Sequence, residues 1–136
     1  MIAGEIEAPP VARTVGFTMT SIGDGCAVFE MDADPGRHAN PMGTVHGGIL
    51  CDLADGAMGM AFASTLADGE SFTTLELKIN YLKPVWHARL RAEARVVKRG
   101  RDTGLVTCDV IDDAGALVAH ASSTCMVLRG ERAAGR

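Results

Sequence analysis

Apolar positions change period twice along this chain, and the changes mark out its elements. Val15, Phe17 and Met19 alternate with polar neighbours, Asp24-Gly25 makes a turn, and Ala27, Phe29 and Met31 alternate again, which is a hairpin signature. Residues 33–45 contain Pro35, Gly36, Pro41 and Gly43 and read as a loop. From His46 the spacing becomes three and four. Ile49, Leu50, Leu53, Ala57, Ala61 and Thr65 describe a helix that is expected to end near Asp68-Gly69. Period two then returns: Leu75, Leu77, Ile79 and Tyr81 fall on one face of a strand, Thr74, Glu76, Lys78 and Asn80 on the other, and Pro84 closes it. Leu90, Ala92, Ala94 and Val96 alternate with Arg89, Arg91, Glu93 and Arg95. Val106, Cys108 and Val110 follow a turn, and a last strand runs from about Leu117 to Leu128.

The count is about six strands and one long helix, in the order ββαββββ. Short turns between consecutive strands make the sheet antiparallel, and one helix covers only one of its faces. The helix is apolar around more than half its circumference, so the sheet is expected to wrap it, leaving the outer face and the edges free for a partner subunit. Residues 1–12, with Pro9 and Pro10, read as a flexible N-terminal arm, 13–128 as a single domain and 129–136 as a polar tail.

Composition narrows the function classes. A chain of 136 residues that is 47% hydrophobic is long enough for one core. A formal net charge of −4 argues against nucleic-acid binding. The longest apolar run, near Ala57–Ala63, is too short to span a bilayer, and the acidic first ten residues do not read as a signal peptide. Cys26, Cys51, Cys108 and Cys125 lie far apart in apolar segments, as expected of reduced, buried thiols in a cytoplasmic protein. No zinc-ligand spacing, nucleophile elbow or phosphate-binding glycine motif occurs, so no metal and no nucleotide cofactor is expected.

The chemistry concentrates between Asn40 and Asp55. His46, Gly47 and Gly48 stand at the mouth of the helix, where free backbone N–H groups suit a developing negative charge. Asp55, at the edge of the apolar arc, is a candidate nucleophile or general base. Acting on one carbonyl, Gly47 and Asp55 must both come within about 3–4 Å of it. Eight residues of helix separate them by roughly 12 Å along the axis. Either only one of them is functional, or they come from different subunits, which predicts two equivalent sites across a two-fold interface.

The pattern Asn40-x-x-Gly43-x-x-His46-Gly47-Gly48, followed by Leu53-Ala54-Asp55, resembles the hot-dog-fold acyl-CoA thioesterases, and most of all the PaaI-like and aryl-CoA subgroup. The resemblance extends over about 36–127, including Ile79-Asn80-Tyr81-Leu82-Lys83-Pro84 and Lys98-Arg99-Gly100-Arg101. It implies an α+β hot-dog fold, with an antiparallel sheet of five to six strands wrapped around one central helix. It also implies hydrolysis of an acyl-CoA or aryl-CoA thioester by a cofactor-free homodimer or dimer of dimers, a homotetramer. In similar enzymes the glycine at position 47 donates its N–H to the thioester oxygen. The acid at position 55, from the other subunit, attacks or deprotonates water. The asparagine at position 40 places the thioester or the water, and a hydroxyl at position 74, here Thr74, holds the acid or the water.

The remaining candidates are weaker signals. His46 is a general base or a residue fixing the loop by a hydrogen bond, and Gly48 adds a second N–H beside Gly47. Asp52 reads as solvated or supporting. Lys98, Arg99 and Arg101 form a basic turn suited to the phosphates of coenzyme A. Pocket depth is expected to depend on Met58, Phe62, the 33–45 loop and the partner subunit. Two alternatives stay open: a hot-dog hydratase or dehydratase pairing His46 with an acid, and an acyl-CoA binding module without turnover.

Overall fold

The computed structural model describes residues 7–136; residues 1–6, the first half of the expected arm, lie outside them. The chain first forms a short helix, α1 (Pro10–Val15), where the sequence reading placed an arm and the start of a strand. Its cause is local. Proline opens the first turn with its φ already set, and Ala12 and Val15, one turn apart, are both buried. Gly16 ends it at φ 97° with its N–H on the Ala12 carbonyl.

The hairpin β1 (Phe17–Gly23) and β2 (Cys26–Ala33) follows as expected, and a single turn of helix, α2 (Pro35–His38), interrupts the loop. The long helix α3 (Gly47–Ala63) then leads to β3 (Ser71–Tyr81), β4 (Ala88–Arg99), β5 (Thr103–Ile111) and β6 (Leu117–Leu128). α3 stops before the expected Asp68-Gly69. Ser64 and Thr65 turn their hydroxyls back onto the carbonyls of Ala61 and Phe62, each at 2.7 Å, and the backbone tightens to i→i−3 bonds.

The six strands form one antiparallel sheet in the order β1-β2-β4-β5-β6-β3, the α+β architecture expected of a hot-dog fold. The connection through α3 carries the chain from β2 to the far edge, so β1 and β3 are the two edges. α3 lies in the concave face. Leu53, Ala54, Ala57, Met58, Ala61 and Phe62 are fully buried against the inward residues of the sheet. Alanines at 27, 92, 94 and 121 on that face let the helix approach closely. Arg89 and Arg91 of β4 face outward and pair with acids, as in Arg89 to Asp32 at 3.1 Å.

Two readings of the chain are corrected here. A bulge at Leu75 puts one extra residue between the pairs Thr74–Cys125 and Glu76–Thr124. Parity switches there, so Thr74 does not share a face with Glu76, Lys78 and Asn80; with Phe72 it faces the helix, as Leu77 and Ile79 do further along. Among the cysteines, Cys108 and Cys125 are buried as expected, but Cys26 is exposed at the β1–β2 turn and Cys51 is half-buried.

Candidate active site

The loop leading into α3 is held by its own polar groups. Asn40 accepts the Met42 N–H on Oδ1 at 2.9 Å, donates from Nδ2 to Thr44 Oγ1 at 2.8 Å and pairs its N–H with the Thr44 carbonyl. Val45 donates to the Val85 carbonyl and His46 to the His38 carbonyl, each at 2.7 Å. His46 is the N-cap residue, yet its imidazole makes no capping bond, and among the described residues it has no hydrogen-bond partner and no acidic neighbour in an ion pair. The loop-fixing bond expected of His46 is thus made by its backbone, and among the described residues of one chain no acid pairs with its ring.

The buried histidine of this region is His38, which the sequence pattern does not single out. It is 3% exposed. Its Nδ1 accepts from the Asp34 N–H at 3.0 Å, so Nε2 carries the proton and donates to the Val15 carbonyl at 2.7 Å. Its own carbonyl takes the His46 N–H. One side chain therefore ties α1 to the loop that presents Gly47.

Gly47 is the first helical residue of α3, and among the described residues neither its N–H nor that of Gly48 has an acceptor. Tyr81 lies directly over it: a Cβ at position 47 would sit 2.7 Å from the phenol oxygen and 2.8 Å from the ring. The phenol also meets Cys51 Sγ at 3.3 Å, and that bond, with burial, pushes the Tyr81 pKa up to about 12. Tyr81 was read only as an apolar strand position; the signal that pairs it with Gly47 is the long-range packing of β3 on α3. Gly47, Asn40 and Tyr81 line one groove, closed on the far side by Leu82, Pro84 and Val85.

Asp55 lies elsewhere, in a separate cavity of about 300 Å³ between α3, β1 and β3. Thr74 lines the same cavity, brought there by the bulge. The other walls are apolar: Phe17, Met19 and Phe29 from the hairpin, Met60 and Phe72 opposite, and residues of α1. Met58 and Phe62, expected to set pocket depth, are instead sealed in the core, and the 33–45 loop lines the Gly47 groove. Asp55 remains accessible, but the apolar walls strip water from its carboxylate and raise its pKa, and the charge of Asp52 adds to the rise. Among the described residues no donor pairs with this carboxylate.

The basic turn divides. Arg99 is committed: it bonds Thr65 Oγ1 at 3.0 Å and the Gly100 carbonyl, pairs with Glu70 at 3.3 Å and lies over the Phe62 ring at 5.3 Å. Its fork is not free for a phosphate. Lys98 and Arg101 have no ion partner among the described residues, and neither shares a cavity with Gly47 or Asp55. No cluster of three metal-ligating side chains occurs among the described residues, and no helix of theirs is long and apolar enough to cross a membrane.

Comparison with known proteins decides the family. Residues 42–119, more than half the chain, match the thioesterase superfamily pattern. The chain belongs to the thioesterase superfamily. Human acyl-coenzyme A thioesterase 13 is 30% identical over 118 residues, covering 82% of this chain and 81% of that protein. A Saccharolobus solfataricus protein named as an esterase is 34% identical over 87 residues, which is 64% of this chain and 61% of its own length. The PaaI protein from the phenylacetic acid degradation operon of E. coli superposes with a TM-score of 0.82 at 26% identity, covering 90% of this chain and 86% of that one. The hot-dog fold and thioester hydrolysis read from the His-Gly-Gly and Leu-Ala-Asp segments agree with these relatives.

Proposed function

We propose that two copies of this chain build each active site of a thioesterase that cleaves CoA thioesters of aryl or compact acyl groups. The observation that carries this is the separation of Gly47 and Asp55 into two different cavities of one chain. A two-fold axis that brings the Gly47 groove of one copy to the Asp55 cavity of another joins them. The thioester oxygen then meets the Gly47 N–H, whose positive helix end stabilises the oxyanion. The partner's carboxylate, unpaired and raised in basicity, attacks the carbonyl carbon or takes a proton from water, and coenzyme A leaves as the thiol. Thr74 holds that carboxylate or the water, and Asn40 keeps one Nδ2 hydrogen for the same purpose while fixing the loop. The acyl group enters the apolar cavity, and Lys98 and Arg101 are left to the phosphates. The reading includes a dimer of dimers and, supported by the free thiols, a cytoplasmic location.

The test is release of free thiol from a panel of aromatic and straight-chain acyl-CoAs. Asp55→Asn is expected to lower turnover at least 100-fold while staying dimeric, in the range for loss of a catalytic group. Co-expressing Asp55→Asn with an inactive Gly47 variant is expected to restore about a quarter of wild-type activity, because half of the dimers are mixed and each mixed dimer has one intact site. No restoration in verified mixed dimers would refute the shared site, and no turnover of any thioester by folded wild type would refute the activity.

A further inference from the structure

Resting on that reading for the identity of the site, we propose that α1 is the length-setting wall of the acyl pocket and that Val11 is its specificity-determining residue. The cavity that holds Asp55 and Thr74 is closed by Ala8, Pro9, Val11 and Ala12, a segment that precedes the hairpin and belongs to none of the catalytic elements. Among the described residues, the only polar side chain on its lining besides those two is that of Thr18. An acyl chain whose carbonyl sits at Asp55 therefore runs into surroundings that are apolar apart from the Thr18 hydroxyl.

The segment is a fixed wall. Ala12 and Val15 are buried, the Gly16 N–H closes on the Ala12 carbonyl at 2.8 Å, and the Arg13 guanidinium holds the Ala8 carbonyl. Two residues of α2 pin its C-terminal end: Arg37 donates to the Thr14 carbonyl at 2.7 Å and His38 to the Val15 carbonyl at 2.7 Å. Val11 lines the cavity and is also 52% exposed, which puts it at the rim, where its size changes the room available without disturbing the core. The ligand such a wall selects is a compact apolar acyl or aryl group with no polar substituent at its far end.

The experiment measures kcat/KM for a series of straight-chain acyl-CoAs, with phenylacetyl- and benzoyl-CoA, in wild type, Val11→Ala and Val11→Phe. Val11→Ala is expected to extend the accepted length and Val11→Phe to shorten it, with the longest accepted substrates changing by roughly tenfold or more against the shortest, the usual discrimination per methylene in an apolar pocket. Profiles that superimpose on wild type would overturn the proposal and leave the thioesterase reading standing. The same variants are titrated calorimetrically with non-hydrolysable acyl-CoA thioethers. If wild type turned over no thioester, the proposed activity would fail, yet a length-dependent shift in Kd among the Val11 variants would still uphold the wall, and an unchanged order of Kd would overturn it.

Discussion

Gly47→Ala separates the oxyanion role of this residue from its packing. The added Cβ would lie 2.7 Å from the Tyr81 oxygen and 2.8 Å from its ring carbon Cζ, both shorter than real Cβ contacts. The helix backbone is fixed by its own ladder, so Tyr81 must give way. It is 53% exposed and lies at the end of an edge strand, so it has somewhere to go. The loss on folding is one thiol–phenol contact at 3.3 Å, at the low end of about 0.5–1.5 kcal/mol for a hydrogen bond. Alanine for glycine in a helix returns up to about 1 kcal/mol. Stability should therefore hardly change. Activity should change, because the displaced ring moves into the groove that Gly47 shares with Asn40. Loss of one oxyanion donor sets the upper bound, roughly 10²–10³ in kcat.

The assay is a double-mutant cycle on kcat/KM with Gly47→Ala, Tyr81→Ala and the pair, with Tm as the control. Removing the ring removes the clash, so the pair should recover most of what Gly47→Ala loses, a coupling of about 1–3 kcal/mol. If Gly47→Ala alone keeps full activity, the groove is not where the carbonyl binds. If the pair is no better than Gly47→Ala, the close approach of Tyr81 is not the reason for a glycine here.

Three further outcomes follow from the structure. The Asp55 pKa is raised above its ordinary 3.8, and the reaction uses the ionised form, so kcat/KM should rise with pH through a midpoint above 3.8; a midpoint at or below that value would contradict the apolar setting of the carboxylate. An acid with a raised folded pKa opposes folding once ionised: its stabilising share is present below 3.8 and is lost as pH rises through the folded value, so Asp55→Asn should melt no lower than wild type at neutral pH. His38→Ala leaves the Val15 carbonyl without a partner in a buried site and the half-buried Asp34 N–H without its acceptor, for about 1–3 kcal/mol, or on the order of 5–10 °C in a melting scan; a drop of only a degree or two would show that α1 is not anchored through this ring.

How much of this was legible depends on how local each cause is. The helix mouth, the strands of the sheet and the placing of Asp55 at the edge of the helix's apolar arc rest on periodicity and on turn residues, and those signals lie within a few positions of what they specify. α1 was misread although Pro10 at its start and Gly16 at its end are a helix start and stop, because Val15, Phe17 and Met19 also satisfy the alternation of a strand over so short a span. The Leu75 bulge is silent in sequence. An extra residue leaves the alternation on either side intact, and only the register with β6 shows that Thr74 turns to the cavity that Asp55 also lines. Arg99 looked like a phosphate fork because its partner Glu70 is 29 positions away, and His38 looked idle because its acceptor belongs to α1. The spacing of Gly47 and Asp55 runs the other way. Helical rise is a local rule, and it forbids both groups from reaching one carbonyl. The fold obeys it by facing them into different cavities, each lacking, among the described residues, what the other holds: one has an amide donor and no carboxylate on its lining, the other a carboxylate in mostly apolar surroundings with no hydrogen-bond partner. A constraint between neighbours in sequence thereby becomes an argument for a second copy of the chain, and the co-expression of Gly47 and Asp55 variants measures it directly.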